Sequence, residues 1–179
     1  TTGADYTDKS VQKEYERIDF YSYIVHIVQR LMNPKAGGQG KGILVFTRFL
    51  KEAERLTMSI PGCVIVSGDT PKKERERILE MFKVGEIPVV ANVGVLTTGF
   101  DYPELDTVVM ARPTMSLAMY YQIVGRCIRP HKDKEAAWFV DLCGNINRFG
   151  EVSDLHLKDT GNGKWAVFSR GRQLTNVRF

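Results

Sequence analysis

Five short apolar runs constrain this chain more than any other feature. They are Ile43 to Phe46, Val64 to Val66, Pro88 to Ala91, Thr107 to Met110 and Ala136 to Val140. Each is too short for a buried helix and rich in β-branched residues. Between them lie amphipathic stretches. Phe49 to Ile60 reads as a helix, and a second starts at Thr70 as cap with Pro71 in its first turn and runs to about Val84. A third covers Ser116 to Pro130. Continuous apolar strands alternating with helices predict an α/β fold, a parallel sheet with helices on both faces. In such sheets ligands sit at the carboxyl ends of the strands.

The flanks read differently. Residues 1–8 are a loose lead-in. Val11, Tyr15, Ile18, Val25, Val28 and Met32 then recur at helical steps, predicting one helix from Ser10 to about Asn33 that Pro34 ends. Lys35 to Gly42 is a flexible loop. Gly40 and Lys41 do not make a phosphate loop, because Lys35 stands where the first glycine belongs, Gly42 replaces Ser or Thr, and a strand follows. Past Asp141 the alternation stops. Gly144 to Phe149 suits one helical turn, and Leu155 to Leu157 pairs with Trp165 to Phe168 as a hairpin around Gly161, Asn162 and Gly163. The basic tail from Ser169 is expected to be partly disordered. The expected organisation is a helical lead-in over 1–40, an α/β lobe over 41–150 and an extension over 151–179.

Composition narrows the function classes without choosing one. At 179 residues, 43% hydrophobic and 26% charged, the chain suits one globular domain. Lys and Arg outnumber Asp and Glu by 25 to 21, which permits a polyanionic partner. No run approaches the roughly 20 apolar residues of a membrane span, and no secretory signal is recognised. Cys63, Cys127 and Cys143 are odd in number, scattered and set in apolar surroundings. Reduced thiols in a cytoplasmic protein are the expectation. No cysteine pair has ligand spacing and His26, His131 and His156 stand apart, so no metal site is expected within the chain. The opening threonine suits a piece cut from a longer protein.

The stretch SLAMYYQIVGRCIRP, Ser116 to Pro130, holds the most pointed pattern. On a helical wheel Leu117, Tyr121, Val124 and Ile128 share an arc of roughly 60°, the expected buried stripe. Gln122, Arg126 and Arg129 share the opposite arc. Ser116 is placed to cap the start, and Pro130 keeps Arg129 out of regular helix. Other polar residues fall where strands end: Thr47 and Arg48, then Ser67, Gly68 and Asp69, then NVGVLTTGFDYP from Asn92 to Pro103. Hydroxyls and free backbone N–H groups at such junctions suit phosphates. Taken singly, each is also an ordinary loop or cap residue.

The joint order is more specific. GILVFTRFLKEAERL, SGDTPKKERERIL, VLTTGFDYPELDTVV and YYQIVGRCIRP follow one another. Over roughly residues 40 to 150 this series resembles the second RecA-like lobe of superfamily 2 helicases and translocases. Gln122, Gly125, Arg126 and Arg129 fill the Q-x-x-G-R-x-x-R of its motif VI. Leu96 to Asp101 match motif V, and the first two segments match motifs IV and IVa. The wording LTTGFDYP, YYQIVGRCIRP and FVDLCGNINRFG (Phe139 to Gly150) is most similar to RadD-like proteins, with motor subunits of type I restriction enzymes as cousins. Lys72, three residues before Arg75, replaces a DEAD-box glutamine, and Gln122 replaces a DEAD-box histidine. The cysteine cluster usual after the motor of RadD-like proteins does not appear.

The resemblance implies a RecA-like, P-loop NTPase-type fold and an ATP-dependent motor acting on nucleic acid, DNA rather than RNA, in repair or recombination. It implies that Arg126 and Arg129 are arginine fingers, that Gln122 senses nucleotide or ties the two lobes, and that Gly99 and Asp101 line the nucleotide site, Asp101 accepting from a ribose hydroxyl or holding an arginine. Thr47, Arg48, Ser67, Gly68, Thr97 and Thr98 would grip phosphates without reading bases. The first lobe, with its phosphate loop and Mg²⁺ carboxylates, would be the partner that holds ATP, so the isolated fragment is expected to be inactive. The competing class is a non-catalytic docking module, which has no need of two arginines on one face. A dinucleotide-binding enzyme would need G-x-G-x-x-G after a strand, which is absent.

Overall fold

A computed structural model describes residues 5–33, 42–96, 101–161 and 163–175. Its centre is a five-stranded, wholly parallel sheet. The strands are β1 (Ile43–Thr47), β2 (Cys63–Val66), β3 (Val89–Val93), β4 (Thr107–Ala111) and β5 (Trp138–Asp141), in the spatial order β2-β3-β1-β4-β5. All five predicted strands form, within a residue or two at their ends. β1 is buried along its whole length and is flanked by β3 and β4. This is the parallel α/β sheet expected from the alternation, and it is the RecA-like fold that the resemblance implies.

Strand pleating sorts the side chains into two cores. Leu44, Phe46, Val90, Val108 and Met110 face α4 (Lys72–Lys83) and α5 (Leu117–Cys127), meeting Ile78, Phe82, Tyr120 and Ile123. Ile43, Val45, Val89, Ala91 and Val109 face the other way, onto α3 (Leu50–Ser59). The same face carries two N-terminal helices, α1 (Asp8–Arg17) and α2 (Phe20–Leu31), through Val11, Tyr15, Phe20, Ile24 and Val28.

The structure corrects three local expectations. The single N-terminal helix is two, broken at Asp19, which adopts left-handed backbone at φ 48°. The break folds Phe20 back onto Tyr15, their rings stacked 4.1 Å apart, and hydrophobic periodicity alone does not register such a turn. Thr70 does not cap α4. Its hydroxyl accepts from the Ser67 N–H at 2.9 Å, and Pro71 takes the cap position. The buried stripe of α5 is Tyr120, Ile123, Val124 and Cys127, whereas Tyr121 and Ile128 are half exposed. The helix is turned by one residue because Tyr120 stacks on Phe149 at 5.1 Å and its hydroxyl donates to the Gly150 carbonyl at 2.8 Å.

Beyond β5 lie α6 (Asn145–Phe149), one 3₁₀ turn (Val152–Asp154) and a separate antiparallel sheet. That sheet contains β6 (His156–Gly161), β7 (Lys164–Ser169) and β8 (Arg172–Gln173). The expected hairpin is therefore present, and the tail adds a third strand instead of leaving the fold at Ser169. Gly150, at φ 85°, lies against the Ser169 side chain, a junction with no room for a Cβ. Arg170 pairs with Asp154 at 2.7 Å across the same junction.

Candidate nucleotide and nucleic-acid surfaces

The topology puts the singled-out residues at opposite edges of the sheet. α5 follows β4 and precedes β5, and those strands are parallel neighbours. The helix must therefore run back against the strands, about 16 Å for its 11 residues. Its C-terminal end, with Arg126 and Arg129, reaches the amino edge. The expectation that all ligand chemistry gathers at the carboxyl ends is corrected by this geometry.

At the amino edge Arg129 Nη1 is ion-paired to Asp101, fixing the loop before β4 to the end of α5. Arg126 is 9% exposed, unlike the solvent-facing side chain expected from the wheel. Burial and then the charge of Arg129 lower its pKa, while Asp101 opposes them. Gln122 is exposed on the same helix. Two guanidiniums set against one carboxylate suit an anion. Asp101 is committed to Arg129, so the cluster does not fit a divalent cation.

Lys134 is the residue that sequence reasoning missed here. Its Nζ donates to the carbonyls of Pro103 (2.7 Å), Leu105 (3.1 Å) and Cys127 (2.9 Å). One ammonium thus ties the last turn of α5 to the segment leading into β4, beside Asp101. Partial burial lowers its pKa. Tyr102 adds a second tie, with its hydroxyl on the Lys83 carbonyl at 3.3 Å.

At the carboxyl edge the expected phosphate ligands are unequal. Thr47 is fully buried and its hydroxyl donates to the Asn92 carbonyl at 3.3 Å, so that hydroxyl serves the sheet. Ser67 and Gly68 form the turn after β2. The Ser67 hydroxyl accepts from Asp69 N–H at 3.3 Å, and open space surrounds Gly68. Arg48 lies under residues 5–8, with its Nη2 2.8 Å from Asp8 Oδ1. Thr97, Thr98 and Gly99 lie outside the described residues, as does the loop over 35–41. Asn92, near the end of β3, holds the start of the loop that follows, its Oδ1 accepting from Val95 and Leu96 N–H groups at 3.2 and 2.9 Å.

The loop from β4 into α5 is built by residues of the FVDLCGNINRFG stretch. Asn145 is 1% exposed. Its Oδ1 accepts from Thr114 N–H at 3.0 Å, and its Nδ2 donates to the Arg112 carbonyl at 3.1 Å and to Asp141 Oδ1 at 2.9 Å. Asp141 Oδ2 accepts in turn from Ile146 N–H at 2.8 Å. Ser116 then caps α5 as expected, accepting from Met119 N–H at 3.2 Å.

Residues 23–131 match the model of the helicase conserved C-terminal domain. This chain belongs to that family. The helicase C-terminal domain begins, by that match, inside α2 and ends just after Arg129. It is 38% identical over 79 residues to the putative ATP-dependent helicase IRC3 of Saccharomyces cerevisiae, covering 44% of this chain and 12% of that protein. It is 36% identical over 96 residues to the DNA 3'-5' translocase XPB2 of Sulfurisphaera tokodaii, covering 52% of this chain and 21% of that protein. Other matches are named ATP-dependent RNA helicases. A fragment of a putative HsdR subunit of a type I restriction enzyme from Vibrio vulnificus superposes with TM-score 0.64 at 20% identity, over 75% of this chain and 29% of that one. This helicase C-terminal domain spans between 12% and 35% of the length of the first curated relatives. No helix among its described residues is long and apolar enough to cross a membrane.

Several other titratable groups are set in the cores, Cys63, Cys127 and Glu52 buried and Cys143 partly buried against one of them. Burial pushes the thiols of Cys63 and Cys143 up to about 12 and Cys127 to about 11, so all three are protonated, and all are free. Glu52, wholly buried in the first turn of α3, accepts from Phe49 N–H at 3.4 Å, and burial pushes its pKa up to about 7.

Proposed function

We propose that this domain is the second motor lobe of an ATP-dependent DNA helicase or translocase, completing the nucleotide site of a first lobe and gripping the nucleic-acid backbone. The observation that carries the reading is the pair Arg126 and Arg129 at one edge, with Arg129 ion-paired to Asp101 and the end of their helix tied down by Lys134 through the Cys127 carbonyl. Phosphoryl transfer asks for little covalent help and much positive charge at the γ-phosphoryl oxygens. Arginine suits that task because it stays charged and presents a planar fork of donors.

In this reading Arg126 and Arg129 reach across the cleft to ATP on the other lobe, and Gln122 reports nucleotide to the helix. Asp101 orients Arg129. Mg²⁺ belongs with the first lobe, since the cluster here is cationic. At the opposite edge Arg48, Ser67 and Gly68 hold phosphates, and the resemblance adds Thr97 and Thr98 to the phosphate ligands. Separating the two surfaces by the depth of the sheet lets closure on ATP at one edge move the grip at the other. Backbone contacts make binding sequence-independent and salt-sensitive. The departures of Lys72 and Gln122 from the DEAD-box pattern argue against an RNA-directed DEAD-box protein, and the RadD-like wording favours DNA and a role in repair or recombination.

Hydrolysis by the two-lobed protein tests the reading, measured with single-stranded DNA, duplex DNA and RNA. Stimulation by DNA is expected, and stimulation by RNA alone overturns the DNA assignment. The isolated 179-residue chain should show no turnover. Steady turnover by that chain, abolished by Arg126→Ala, contradicts the two-lobe site.

A further inference from the structure

The carboxyl edge already holds anions, and they come from the chain itself. Asp5 Oδ1 accepts from the N–H groups of Met115 at 2.8 Å and Tyr6 at 2.9 Å. Its Oδ2 lies 3.4 Å from the Thr114 hydroxyl, which donates to it, and 3.5 Å from Arg48 Nη1. Asp8 Oδ1 accepts from Arg48 Nε at 3.0 Å and Nη2 at 2.8 Å, and the Tyr6 carbonyl accepts from Nη2 as well. The Tyr6 ring lies 5.2 Å from the Arg148 guanidinium, which also donates to the Tyr6 hydroxyl.

Residues 5–8 thus present an anion, a stacked aromatic ring and a second anion to a basic strip. A short single strand of nucleic acid presents the same sequence of groups, phosphate, base and phosphate. Positive charge beneath the segment exceeds what it neutralises. The half-buried Arg112 feels the charges of Arg48, Asp5 and Asp8, and its buried Nε has no hydrogen-bond partner among the described residues. Beyond Arg148 the strip continues into an open groove of about 560 Å³ lined by Met115, Arg148 and Arg172. The segment itself is at the surface, with the Asp5 and Asp8 side chains 32% and 70% exposed.

We propose that Arg48, the Thr114 hydroxyl and the Met115 N–H form a backbone-phosphate site, and that Asp5 to Asp8 occupy it as an intramolecular competitor of nucleic acid. Binding then requires the segment to lift, which uncovers Arg48 and Arg148 together. This rests on the nucleic-acid reading above and adds to it a ligand set and its occupant.

The test is fluorescence anisotropy of a labelled oligothymidylate titrated with the chain and its variants. D5N/D8N keeps the shapes and removes the charges. Its affinity is expected to rise about tenfold, the scale of one charge-assisted hydrogen bond to phosphate. The slope of log affinity against log salt should steepen by about 0.7 for each further phosphate that the freed arginines neutralise. Adding Arg48→Ala should erase the rise. E54Q/E135Q, two exposed carboxylates elsewhere, controls for net charge and should change affinity less than twofold. If D5N/D8N melts early, D5N alone, which leaves α1 intact, should move affinity the same way. A D5N/D8N affinity no higher than that control overturns the competitor while Arg48→Ala still weakens binding in the parent. If Arg48→Ala changes nothing in either background, the phosphate role of Arg48 fails with it.

Discussion

Asn145→Ala should be among the most damaging single changes near the carboxyl edge, although Asn145 lies outside motifs IV to VI. The side chain is 1% exposed and makes three hydrogen bonds, to Thr114 N–H, the Arg112 carbonyl and Asp141 Oδ1. Each bond is worth about 1 kcal/mol net, and truncation leaves all three partners short of one, so the loss is about 3 kcal/mol. For a domain of this size that corresponds to a fall of about 10 °C in Tm, followed by circular dichroism. Asn145→Asp separates the parts of the effect. The acceptor for Thr114 remains, but a carboxylate oxygen replaces Nδ2 at 2.9 Å from Asp141 Oδ1. The two carboxyls then share a proton at low pH and repel at high pH. This variant should recover much of its loss at pH 5 and show all of it at pH 8. A Tm within 2 °C of the parent for Asn145→Ala, or no pH dependence for Asn145→Asp, refutes the network as the support of the loop.

Glu52→Gln should change how stability depends on pH. The folded pKa near 7 stands above the ordinary glutamate value of 4.5, so between these values the folded state keeps a proton that the unfolded state has lost. Stability contributed by Glu52 is present below about 4.5 and falls as pH rises to 7, by about 3 kcal/mol in all. Urea midpoints should therefore show the glutamine variant gaining on the parent from pH 5 to pH 8, and parallel curves contradict the burial argument. Gly42→Ala should lose more than about 2 kcal/mol, since φ is 90° and a Cβ would meet the Phe82 ring at 2.5 Å; an unchanged melting temperature contradicts that. Lys134→Met should cost about 2 kcal/mol after solvent screening, by leaving three carbonyls without their ammonium. It should also loosen the Arg129–Asp101 pair, visible as faster amide exchange around Asp101, and unchanged exchange removes the positioning role.

How far the sequence could be read follows from where each signal lies. Short β-branched runs at Ile43, Val64, Pro88 and Thr107 mark strands by composition alone, and a parallel sheet buries them on both faces. The orientation of α5 was not legible. Apolar residues surround that helix, and the choice between Tyr120 and Tyr121 is made by Phe149 and the Gly150 carbonyl, both outside the helix. The same distance problem hid Lys134 and Asn145, whose partners are scattered through the chain. Arg48 was legible as a cation at a strand end. Its pairing with Asp5 and Asp8, some 40 residues upstream, was not. The placement of Arg126 and Arg129 at the amino edge follows from the parallel pairing of β4 with β5 on either side of α5.

The central claim is that Arg126 stabilises charge on a phosphoryl group held by another lobe. It is tested most directly by the steady-state ATPase of the two-lobed protein carrying Arg126→Lys, with nucleic acid saturating. Lysine keeps the positive charge and loses the fork. A fall in kcat of about 10³, with KM changed only a few-fold, is expected of an arginine finger. A kcat within threefold of the parent, in a variant with unchanged Tm, would show that the guanidinium does not touch the reacting phosphate.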